Sequence, residues 1–175
     1  AVWLEVGASL NRALERGEFV LHYQPKVDFR SGSITGVEAL LRWHSQVLGM
    51  VSPAKFIPLL EESSRIIQGG EWVLAEACRQ GQRWLEQGLP ALRIAVNLSP
   101  RQFQQPDLAA RVRHILDETR FPAANLELEI TESMVAHNVE RAIALLDELR
   151  AMGLHLSIDD FGTGYSSLNS LKRFP

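Results

Sequence analysis

The segment Arg93-Ile94-Ala95-Val96-Asn97-Leu98-Ser99-Pro100 decides how the chain folds. Ile94, Val96 and Leu98 alternate with Ala95 and Asn97, the two-residue period of a strand with one aliphatic face. Ser99-Pro100 then reads as a helix start: a capping hydroxyl, followed by a proline whose missing N–H costs nothing at the first helical position. The pattern returns twice. Leu126, Leu128 and Ile130 oppose Glu127, Glu129 and Thr131, and Leu156 and Ile158 oppose Ser157 and Asp159. Asn97, Glu129 and Asp159 recur at intervals of roughly 30 residues, the length of one βα unit. Such units make parallel strands. Each sends an aliphatic row toward covering helices and a polar residue, at its C-terminal end, the other way.

Toward the N-terminus, residues 19–27 and 34–43 read as two further strands joined through Ser31-Gly32-Ser33. That connection is short enough to make them antiparallel neighbours. Ser52-Pro53 repeats the helix-start signal. A longer helix is expected over 71–87, with Trp72, Val73, Ala77, Trp84 and Leu85 on its apolar side and Gly88 as its stop. Leu108, Val112, Ile115 and Leu116 mark the helix after Ser99-Pro100, and another over 139–152 ends at Gly153. Polar residues gathered at the C-terminal ends of several strands are the arrangement in which a barrel of βα units builds its active site. The expected fold class is therefore α/β, a TIM-type (β/α)8 barrel with an antiparallel first strand. An open doubly wound sheet shares the periodicity and is the alternative. A barrel takes about 250 residues and eight strands, whereas this chain has 175 residues and about five strands.

Composition narrows the function. With 46% hydrophobic residues the chain can build a sizeable core, and a single domain is expected. A net charge of −3 and a pI near 6.0 provide no broad basic surface for a nucleic-acid polymer. The one cysteine, Cys78, lies in a helical pattern, which excludes a disulfide framework and a zinc ribbon and fits a reducing cytoplasm. No apolar run approaches the ~20 residues of a membrane span, and a signal-peptide pattern is missing. The expected location is cytoplasmic, including the cytoplasmic part of a protein anchored by a segment outside this chain. His22, His44, His114, His137 and His155 show no metal-ligand spacing and read as structural or surface residues.

Taken singly, the polar clusters are ordinary. Glu38 is a strand-end carboxylate, Asn97-Leu98-Ser99 a turn into a helix, Glu129-Ile130-Thr131-Glu132 an edge, and Asp159-Asp160-Phe161-Gly162 a loop. Their conjunction at one parity and one pole points to a single site. Glu38, Glu129, Asp159 and Asp160 would repel one another at a cost of several kcal/mol unless a cation compensates. An oxygen-only donor set completed by the Asn97 amide suits Mg²⁺ or Mn²⁺ better than zinc. Adjacent aspartates suit two ions about 3.5–4 Å apart, a standard device for attacking phosphodiesters. Asp160-Phe161-Gly162 also occurs in kinases, but a Gly-rich nucleotide loop and a catalytic HRD segment are missing here.

The ordered set Tyr23-Gln24-Pro25, Glu38-Ala39-Leu40-Leu41-Arg42-Trp43, Asn97-Leu98-Ser99, Glu129-Ile130-Thr131-Glu132 and Asp159-Asp160-Phe161-Gly162-Thr163-Gly164-Tyr165-Ser166-Ser167-Leu168 resembles the EAL family of cyclic di-GMP phosphodiesterases over nearly the whole chain. The resemblance implies hydrolysis of cyclic di-GMP to linear pGpG with two Mg²⁺ or Mn²⁺ ions. It implies that Glu38, Asn97, Glu129 and Asp159 hold the first ion, with Asp159 bridging to a second that Asp160 faces. Gln24, Leu41 and Arg42 would meet the substrate, Arg42 at a phosphate. Glu132 and Gly162 would belong to the anchoring of the loop from Phe161 to Leu168, which in the family couples to metal occupancy and dimerisation. A homodimer and regulatory or sensory domains outside this chain are further implications. In the family a lysine and a glutamate that complete the second metal site follow the loop. They are expected beyond Pro175, which makes residues 1–175 the N-terminal two-thirds of such a domain. A receptor or dimerisation module without turnover is the other function expected, above all for the isolated segment.

Overall fold

The computed structural model describes residues 2–159. Asp160, Gly162 and the rest of the expected loop lie outside them. In chain order the elements are α1 (Val2–Ala13), β1 (Phe19–Val27), β2 (Ile34–Ser45), β3 (Gly49–Val51), α2 (Pro53–Glu62) and α3 (Arg65–Glu86). They continue as β4 (Arg93–Asn97), α4 (Pro100–Phe103), α5 (Leu108–Thr119), β5 (Leu126–Thr131), α6 (Glu132–Ala136), α7 (Val139–Ala151) and β6 (His155–Asp159).

The strands form one sheet in the order β1-β2-β4-β5-β6, with the short β3 paired to β2. β1 and β2 are antiparallel, as their short connection requires, and each later step is parallel. A doubly wound sheet reverses its strand order at a switch point. Here the βα units follow one another without reversal, and α5 packs on both α3 and α7. One face of the parallel strands is thereby covered. Ile94, Val96, Leu126, Leu128 and Ile130 are all 0–1% exposed on that side, as the aliphatic parity predicts. Burying each such side chain contributes about 1.5–3 kcal/mol.

Two helices differ from the sequence reading. α3 begins at Arg65, because Gly69 and Gly70 sit within the helix and serve close approach. Gly69 packs on Leu60, and a side-chain carbon at Gly70 would overlap the Gln102 amide. Gly81, farther along, has no room either: an added carbon would stand 2.7 Å from the Ile94 Cδ1 methyl. The helix ends before Gly88, which takes φ 82°, a left-handed stop. After Ser99-Pro100 the chain makes only α4, since Pro106 disfavours helical geometry at the residue before it; α5 then starts anew at Leu108.

A second cluster closes the other end. Phe19, Trp43, Val51, Phe56 and Leu60 pack with Val6, Leu10 and Ala13 of α1. Trp43 is fully buried and edge-on to Phe56. It anchors the end of β2, and its indole N–H donates to the buried Glu18 carboxylate at 2.8 Å. Among the described residues no helix is long and apolar enough to cross a membrane.

Candidate active site

The polar residues opposite the helices come together by register. Gln24 stands across from Glu38 on the β1–β2 ladder, and Glu38 pairs with Ala95. Asn97, one side-chain step above Ala95, donates from Nδ2 to Glu38 Oε1 at 2.9 Å. Asn97 pairs in turn with Glu129, and Asp159 pairs with Thr131, a further step up. The sites climb across the sheet as strands in a barrel stagger. Glu132 opens α6 directly above this row.

The loop after β4 is held by the expected cap. Gln102 N–H donates to Ser99 Oγ at 3.2 Å, and Ser99 N–H to Gln102 Oε1 at 3.1 Å. This capping box fixes the chain two residues beyond Asn97. At Ser52, by contrast, the position is right but the hydroxyl caps nothing.

Beside Asn97 and Ser99 lies a cleft of about 250 Å³ whose wall includes Leu41, Arg42, Pro53 and Ile57. Arg42 is half-buried and donates from Nη1 to the Leu41 carbonyl at 2.9 Å. Leu41 is also partly packed in the Trp43 cluster. Gln24 is exposed.

One charged residue escaped the sequence reading. Lys26 of β1 donates to Glu129 Oε1 and stands 3.7 Å from Glu127, which Arg93 also approaches at 3.7 Å. Its parity gives it away, since Lys26 follows Gln24 by one strand period and shares its face. Burial pushes the Glu129 carboxyl above its usual range, aided by the charges of Glu38 and Glu127, and Lys26 only partly opposes this. Burial would lower the Lys26 ammonium, but the hydrogen bond and charge of Glu129, with Glu127 and Glu38, outweigh it and raise it.

Among the described residues no three His, Cys, Asp or Glu side chains are placed to hold a metal ion. Asn97 is one donor of the expected set, and Asp160 is outside the described residues. The donor chemistry does fit a hard divalent cation: carboxylates of Glu38 and Glu129 flank an amide, with oxygen ligands throughout.

The EAL domain family model matches residues 8–175. The chain belongs to the EAL domain family. The EAL domain is 48% identical over 172 residues to a bifunctional diguanylate cyclase/cyclic di-GMP phosphodiesterase, MucR of Pseudomonas aeruginosa, covering 98% of this chain and 25% of that protein. It is 39% identical to the cyclic di-GMP phosphodiesterase PdeR of Escherichia coli, covering 99% of this chain and 26% of that one. The chain thus spans about a quarter of the length of these relatives. It superposes with a TM-score of 0.93 on a solved complex of the MucR phosphodiesterase with c-di-GMP, at 48% identity, covering 98% of this chain and 69% of that one. The sheet of this EAL domain is accordingly part of a TIM-like barrel, with the open face of the strands as its lumen.

Proposed function

We propose that this EAL domain hydrolyses one phosphodiester bond of cyclic di-GMP, giving linear pGpG. The observation that carries the reading is the Glu38–Asn97 contact beside Glu129, with Asn97 and Arg42 lining one cleft. MucR and PdeR, which match nearly the whole chain, bear phosphodiesterase names. Glu38, Asn97, Glu129 and Asp159 would hold one Mg²⁺ or Mn²⁺ ion, and Asp160 would face a second. When bound, the metal pair supplies charge neutralisation and an activated water.

The chain's own residues would do the rest. Arg42 offers a planar, permanently charged fork to a substrate phosphate. Leu41, Pro53 and Ile57 offer an apolar wall to a purine base. Asn97 would orient Glu38 through its amide, which donates to one of the two carboxylate oxygens. Glu132, at the start of α6, would steady the loop that contains Gly162. A homodimer, regulatory domains outside this chain and a cytoplasmic location belong to the same reading.

Incubation of the full-length protein with cyclic di-GMP and Mg²⁺ or Mn²⁺ tests it. Chromatography should reveal pGpG, and EDTA should suppress its formation. Binding of cyclic di-GMP without any pGpG would sink hydrolysis and favour the receptor alternative.

A further inference from the structure

Lys26 is an unexpected neighbour for a metal ligand. It lies on β1, with β2 and β4 between it and β5, yet its ammonium reaches Glu129. Two of the lumen-face positions between them are small: Gly36 of β2 pairs with Lys26, and Ala95 of β4 stands between Glu38 on β2 and Glu127 on β5. The ammonium has three donors and a second carboxylate within reach, Glu127 at 3.7 Å. A buried carboxylate requires a positive partner, and Lys26 meets that need for Glu129. A divalent ion bonded to the same Oε1 would stand a few ångströms from the ammonium, where two positive charges repel strongly.

We propose, building on the metal-site reading above, that Lys26 competes with a divalent cation for Glu129. The ammonium and the ion seek the same carboxylate oxygen, and uptake of the ion moves the ammonium onto Glu127. Lys26 is a positioning residue in this scheme. It keeps Glu129 aimed at the lumen, and it lowers the apparent affinity of the site by the interaction that has to be given up. Arg93 contacts Glu127 from the other side and does not touch Glu129, which separates competition from mere proximity of charge.

Calorimetric titration of the protein with Mn²⁺ tests this, using Lys26→Met and Arg93→Met in parallel. Both variants lose one positive charge near Glu127. Competition predicts Mn²⁺ binding about tenfold tighter in Lys26→Met and changed less than about twofold in Arg93→Met. The melting temperature of Lys26→Met in EDTA should fall, and its rise with Mn²⁺ should exceed that of the wild type. Lys26→Gln keeps most of the stem and repeats the comparison if the methionine variant loses its cooperative melt. Equal tightening in the lysine and arginine variants, or unchanged or weaker binding after loss of Lys26, overturns the proposal while leaving the metal site standing. Mn²⁺ uptake by neither wild type nor Lys26→Met brings down the metal-site reading, and the proposal with it.

Discussion

The two faces of one sheet are held in opposite ways. On the helix side Ile94, Val96, Leu126, Leu128 and Ile130 are sealed beneath α3, α5 and α7. There stability comes from apolar area, without directionality, so another side chain of similar volume can substitute. On the lumen side Glu38, Asn97, Glu127 and Glu129 depend on one another's geometry and on Lys26 and Arg93 for charge balance. The same strands supply both faces, one residue apart. The lumen face is a cost to folding that the helix face offsets, which is how a scaffold carries a reactive site.

The largest expected effect separates the faces at Glu38. Glu38→Ala should reduce pGpG formation by at least about a hundredfold through loss of a proposed metal donor, while the melting temperature stays within a few degrees of the wild type. Retained turnover would remove Glu38 from the site, and collapse of the fold would show that the lumen face is structural after all. Leu128→Ala should do the reverse. Deleting a fully buried leucine costs about 2–5 kcal/mol in urea unfolding, with Mn²⁺ affinity unchanged in the folded fraction. A parallel drop in affinity would break the division. The smallest effect concerns the helix side alone. Burial pushes the Cys78 thiol up to about 12, so at pH 8 it stays protonated and should resist iodoacetamide until denaturant is added. Rapid alkylation, read by mass spectrometry, would show that α3 opens locally.

The parallel strands were legible because two signals coincide in them: alternation places Leu126, Leu128 and Ile130 on one face, and the interval from Asn97 to Glu129 fits a βα unit. The antiparallel first pair was legible from the brevity of its turn. The start of α3 was not, since Gly69-Gly70 looks like a break until Leu60 and Gln102 are seen to press against it. Steric demands from distant residues leave no local trace. β3 and α6 are three and five residues long, below the length at which periodicity speaks. Within the site, Glu38, Asn97 and Glu129 share a face and a pole as parity requires. Lys26 escaped because a cluster of carboxylates points first to a metal ion as the compensating charge, and a lysine on β1 has no sequence proximity to Glu129. Parity applied to every charged residue on β1 would have found it.

The contact of Gly70 with Gln102 reaches beyond packing. Gln102 closes the turn that presents Asn97, and the same amide fills the space a side chain at Gly70 would need. Positions 70 and 102 are therefore one steric unit. An alanine at 70 would push the Gln102 amide aside, and with it loosen the clasp on the loop after β4.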